Sequence, residues 1–143
     1  GLRLGILASG DPELLAGVRR DLPVWNINSL AEYFLQIFPA FRSRYEESCE
    51  RVRGERARLQ RELGQIPFLK TFPSQANYFL CEVTARFSAT DLARILLSKH
   101  SILIKDLTGK DGFERGQFIR IAIRNGADND QLIAALRQAN RGA

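Results

Sequence analysis

Two arginines interrupt runs of apolar residues, and both are placed where an anion would be bound. Arg3 stands between Leu2 and Leu4, and Arg120 stands inside Phe118-Ile119-Arg120-Ile121-Ala122-Ile123. A guanidinium taken out of water is costly unless it meets an anion. Its planar fork suits carboxylate or phosphate, because two oxygens can be bound at once. Each arginine also has a plainer reading. Arg3 can pair with a carboxylate of the protein, and Arg120 can lie on the wet face of its strand, a side it shares with Arg124. His100 is the sole histidine. It falls at a helix end, where a partial negative charge favours a cation, and a capping role is expected of it. No Ser/His/Asp set, zinc spacing, phosphate loop or dinucleotide fingerprint is present, and no metal site is expected.

The elements that position these residues can be read along the chain. Residues 2–8 form an apolar run that predicts a buried strand. Asp11 followed by Pro12 is a helix start, and Pro23 ends that helix. Ser29 with Glu32 predicts a capping box for a second helix, with Pro39 expected to restart or kink it. Residues 40–64 carry an apolar stripe at helical spacing, with Glu and Arg on the opposite face, and Gly54 weakens the pattern. Short strands are predicted over 66–69, 77–83, 102–104 and 118–123. Helices are predicted after Ser88, whose capping partner is Asp91, and after Asp128. Residues 106–117 read as a polar loop. The order implies an α/β or α+β arrangement with helices on one face of a small sheet. The strand over 2–8 has no neighbour in this order, and we expect its sheet to be part of something larger.

Bulk properties narrow the functional class. The chain has 143 residues, with 45% hydrophobic and 26% charged, as in ordinary globular proteins. It contains no methionine, and a piece of a longer protein is expected. The net charge is +5, from 21 basic and 16 acidic residues. The arginines alternate with glutamates rather than forming a block, so no nucleic-acid partner is expected. Cys49 and Cys81 show neither metal nor redox spacing, which suits free thiols in a reducing compartment, the cytoplasm. No apolar run approaches the roughly 20 residues that span a bilayer, so no membrane partner is expected.

Five segments, in order, are similar to the class I/II (fold-type I) pyridoxal-phosphate aminotransferases. Within that family the resemblance is to the histidinol-phosphate aminotransferase and threonine-phosphate decarboxylase group. Gly1-Leu2-Arg3-Leu4-Gly5 resembles the G-x-R-x-G strand that follows the cofactor lysine. Pro23-Val24-Trp25-Asn26-Ile27-Asn28 with Leu30-Ala31 resembles the P-W-x-V-N-x-L-A stretch of the decarboxylases. Ser74-Gln75-Ala76-Asn77-Tyr78-Phe79 is similar to the S-x-A-N-F strand start. Ile104-Lys105-Asp106 stands where the aminotransferases usually have I-R-D, and Phe118 to Ile123 fits the strand that carries the carboxylate arginine.

The resemblance carries a set of expectations. It implies that Arg3 contacts the cofactor's phosphate and Arg120 the substrate's α-carboxylate. Lys105 would take the place of an arginine that helps hold a substrate phosphate. The Schiff-base lysine is expected upstream of Gly1, so this chain alone would be inactive. Residues 1–28 would be the remnant of a large pyridoxal-phosphate-binding domain. Residues 29–143 would be the C-terminal small domain with its connecting helix and a mostly antiparallel sheet. The substrates implied are an amino acid, possibly phosphorylated, and a 2-oxo acid, in a homodimer. Arg124-Asn125 departs from the aminotransferases, which more often have glycine there, and resembles the decarboxylase branch. Decarboxylation is therefore the alternative chemistry. A non-enzymatic binding domain that reuses the fold is the alternative of another class.

Overall fold

The computed structural model describes residues 2–141. Gly1, the first glycine of the opening motif, lies outside them, as do Gly142 and Ala143. Two compact units divide the chain, one up to Glu47 and one from Ser48 onward. The division falls inside a single long helix.

In the first unit, α1 (Pro12–Asp21) starts as the sequence demands. The Asp11 carboxylate accepts from the amides of Glu13 and Leu14 at 2.9 and 3.2 Å. Pro12 follows at the position where its missing N–H costs nothing. The strand expected over residues 2–8 does not form. A strand exists only through a ladder partner, and no segment of this unit supplies one. Helix α2 (Ser29–Leu63) runs 35 residues with Pro39 inside it. Its cap is Asn28 rather than the expected Ser29: Asn28 Oδ1 accepts from the Ala31 amide at 2.9 Å. Phe34, Phe38 and Tyr45 pack along α2, tilted and then edge to face, with successive centroids 5.4 Å apart. Ala31 is the one core residue among those described here, whereas Ile6, Val24 and Trp25 are almost wholly exposed.

The second unit holds the sheet. Its strands are β1 (Leu69–Thr71), β2 (Tyr78–Val83), β3 (Lys105–Asp106) and β4 (Phe118–Ala122). They lie in the order β1-β2-β4-β3, with every pairing antiparallel. Helix α3 (Ala89–His100) links β2 to β3, and α4 (Gly126–Arg141) closes the chain. Alternation along β2 and β4 sends Phe79, Cys81, Val83, Ile119 and Ile121 inward. There they meet Leu92 and Leu96 of α3, Leu132 and Leu136 of α4, and Leu59 and Leu63 from the end of α2. Burying one such side chain contributes about 1.5–3 kcal/mol. The expected α/β architecture, with helices on one face of a small antiparallel sheet, is thus present.

Local details differ from the sequence reading for identifiable reasons. Ser88 caps α3, accepting from the Asp91 amide at 3.0 Å and donating to its carboxylate at 2.7 Å. The helix then closes through Ser101 in the left-handed region (φ 56), not through His100. The Ile102 amide returns to the Leu96 carbonyl, so residues 101–102 finish the helix and pairing starts only at Lys105. Ile66 and Leu69 donate to carbonyls three residues back, which spends 66–68 on turns and shortens β1. Asn125 caps α4 in place of Asp128, its Oδ1 accepting from the Asp128 amide at 2.9 Å.

Candidate functional site

The outer face of the sheet carries the charge. Residues of β2 and β4 that point away from the core are Tyr78, Leu80, Glu82, Phe118, Arg120 and Ala122. Lys70 of β1 sits opposite Glu82 and pairs with it at 3.6 Å. Lys105 of β3 sits opposite Arg120. One side of the face is therefore neutralised, and the other keeps two cations side by side. Like charges directly opposed on a ladder weaken it, so this arrangement is one that stability alone does not favour.

Arg120 has no carboxylate partner among the described residues. Its guanidinium lies over the Tyr78 ring, 5.2 Å from the centroid. Strand β4 is central in the sheet, which fixes the arginine's backbone through ladder bonds on both sides. Arg120, Lys105 and Arg94 border a groove of about 620 Å³, whose apolar wall is formed by Ala93, Leu97 and Leu103. Arg94 is already engaged, with Asp91 at 3.0 Å.

Asp106 sets the edge of this groove. The Thr90 hydroxyl donates to its Oδ2 at 2.6 Å and the Thr108 amide to its Oδ1 at 2.8 Å. Burial pulls the Asp106 carboxyl upward, but these bonds and the nearby Lys105 charge prevail and hold it below the ordinary carboxylate range. Asp106 is thus a fixed anion that ties β3 to α3.

Of the sequence-derived residues, the structure brings Arg120 and Lys105 together on adjacent strands. Arg3 belongs to the first unit, where it is exposed and in the left-handed region at φ 59. The argument from burial in a strand therefore falls for Arg3, and its phosphate role stands on the resemblance alone. Arg124 lies past β4 and pairs with Asp128 at 2.6 Å. Tyr78 was missed as a partner of Arg120. Its position diagonal to Arg120 across the β2–β4 register becomes visible only once the pairing is known.

The chain's residues fit one end of pyridoxal phosphate and not the other. Arg3 is an exposed guanidinium able to meet a phosphate. The four lysines, Lys70, Lys99, Lys105 and Lys110, are all surface residues. A lysine that reacts with an aldehyde is one held out of water, and all four of these are exposed. Among the described residues no group of acidic, Cys or His side chains could hold a metal ion. Among the described residues no helix is long and apolar enough to cross a membrane.

Comparison with known proteins converges on one family. The model for "Aminotransferase class I and II" matches residues 1–136. The threonine-phosphate decarboxylase of Salmonella typhimurium is 34% identical over 142 residues, which is 99% of this chain and 38% of that protein. The CMP-5'-(3-aminopropyl)phosphonate synthase of Streptomyces rubellomurinus is 34% identical over 96% of this chain and 22% of its own length. Among solved structures, the histidinol-phosphate aminotransferase of Clostridium acetobutylicum superposes with a TM-score of 0.80 at 28% identity, covering 94% of this chain and 40% of that one. The chain thus spans well under half the length of these relatives.

Proposed function

This chain belongs to the class I and II aminotransferase family, and on that premise we propose that it is the C-terminal, carboxylate-recognising part of a pyridoxal-phosphate aminotransferase. The observation that carries the reading is Arg120, an unpaired guanidinium on the central strand beside Lys105. The two cations together suit the carboxylate of an amino acid, or of the 2-oxo acid that replaces it. Lys105 would take a second anionic group, such as a substrate phosphate, as a point charge. Arg3 would meet the phosphate of the cofactor. The cofactor, when bound, supplies the electron sink that amino-group transfer requires.

In this reading residues 1–28 are part of the cofactor-binding domain and 29–143 the small domain. The remaining domain would bring the Schiff-base lysine, and a homodimer would complete the site. The chain by itself would not turn over substrate.

Decarboxylation of a phosphorylated amino acid is the second reading. Arg124-Asn125, two residues past the site strand, favours it, as does the similarity to a threonine-phosphate decarboxylase.

The test uses the whole protein. Pyridoxal phosphate is added, borohydride follows, and the labelled peptide is located by mass. A label on a lysine just ahead of Gly1 supports the proposal. No labelled lysine anywhere overturns it and favours a binding domain that keeps the fold. Carbon dioxide release measured against 2-oxo-acid formation then separates the two reactions.

A further inference from the structure

The geometry points to Tyr78 as the positioning residue of Arg120: its ring face holds the guanidinium in place while leaving the donor edges of the fork free for an anion. Arginine binds a carboxylate through N–H groups in the plane of its fork. A protein carboxylate used to hold Arg120 would consume those donors. An aromatic face attracts the cation electrostatically and places no hydrogen-bond acceptor on the fork. The side chain would otherwise lose considerable rotamer freedom when it takes up an anion. A ring beneath it removes part of that loss in advance.

Three observations aim the ring. Tyr78 and Arg120 are diagonal neighbours across the β2–β4 ladder, because Tyr78 opposes Ala122 and Leu80 opposes Arg120. Aromatic and long side chains reach each other at that offset. Lys105, directly opposite Arg120 on the other side, repels it toward Tyr78. The backbone that leads into Tyr78 is pinned from α2: Arg56 donates to the Gln75 carbonyl at 2.8 Å and to the Gln75 side chain at 3.2 Å. Ser74 closes the turn, donating to the Tyr78 carbonyl at 2.6 Å. The tyrosine hydroxyl has no part in this, so the ring and not the phenol is the working group.

The placement is tested on this chain by NMR of the Arg120 Nε–Hε pair, assigned by its loss in Arg120→Lys. In the wild type and in Tyr78→Phe the signal is expected to carry the ring's shielding. In Tyr78→Val, which keeps a strand-forming residue at a half-exposed site, it moves to the position of a solvated arginine while the rest of the spectrum stays. Arg56→Gln moves it the same way by less. An unmoved signal in Tyr78→Val overturns the inference, as does a Tyr78→Phe signal that shifts as far as that of Tyr78→Val.

The consequence for catalysis rests on the reading above. In the whole protein KM for the amino acid rises about threefold to fivefold in Tyr78→Val, as loss of an exposed cation–π contact implies. The kcat value and the Tyr78→Phe variant stay at wild type. Loss of kcat at unchanged KM counts against the inference. A protein with no turnover at all, but with the NMR result intact, rejects the enzyme reading and leaves the placement standing.

Discussion

Asn129 of α4 donates through Nδ2 to the Glu55 carboxylate of α2 at 2.8 Å, joining residues 74 positions apart in the chain. The same amide donates to the Arg124 carbonyl at 2.9 Å and accepts from the Arg124 amide at 3.0 Å. Asn129 is 2% exposed, a polar residue buried among the described residues. Glu55 is further held by Arg58, which also pairs with Asp130 and donates to the Gly126 carbonyl at 3.2 Å. A single side chain therefore fixes the end of the site strand against two helices.

Asn129→Leu leaves the Arg124 amide and carbonyl without their Asn129 partner and takes one donor from the Glu55 carboxylate, which keeps Arg58. Buried groups so stranded cost about 1–3 kcal/mol each when water cannot reach them. We expect a loss of about 2–4 kcal/mol in urea unfolding. A loss under about 0.5 kcal/mol would show that water takes over the role.

Acid stability follows from Glu55. Hydrogen bonds from Arg58 and Asn129 outweigh the cost of burial and hold its carboxyl below the ordinary range. A depressed carboxylate stabilises the folded state above the unfolded value of about 4.3 and loses that contribution as pH falls through the folded value. Unfolding free energy should therefore decline as pH drops below about 5. Glu55→Gln should flatten that decline, while Asp106 retains part of it with the same sign.

The two thiols should react in sequence. Burial pushes the Cys81 thiol up to about 11, and the Thr71 hydroxyl, 3.7 Å from its sulfur, opposes this only weakly. Cys49 is half-buried and free. Titration with a thiol reagent near pH 8 should consume one equivalent quickly at Cys49. The second equivalent should wait for unfolding, since the thiolate is the reacting form. Fast reaction of both would contradict the burial of Cys81.

Trp25 is the one tryptophan and is 91% exposed. Its emission in this chain should match a free tryptophan amide and be quenched fully by acrylamide. In the whole protein a blue-shifted, protected emission is expected, because the proposed cofactor domain would cover the apolar residues around it. Equal emission in the two would argue against that cover.

Residues 69–123 were the most legible stretch. Strands β2 and β4 alternate cleanly, and Ser88 with Asp91 marks α3 without ambiguity. Arg120 stood out because an arginine among isoleucines has few reasons to be there. The two cap differences share a cause. At residues 28–29 and 125–128 two polar residues compete for the cap, and sequence spacing alone does not say which has the extended backbone. The asparagine won in both places. The apolar pattern over 2–8 names a face but not a partner, and without a partner there is no strand. Lys105 had a role from the resemblance, but its place opposite Arg120, like that of Tyr78 diagonal to it, came only from register, which no local pattern contains.

The strand order bears on how the protein is made. Strand β4 is the last in the chain but lies between β2 and β3. The β1–β2 pair joins close neighbours and can form early, whereas β2 and β4 meet only across roughly 40 residues. A nascent chain must therefore hold β2 with one edge open until residue 122 has emerged, a period in which pairing with another chain competes. The last strand to arrive also delivers Arg120, so the groove gains its main anion-binding group at the same moment as the sheet is closed.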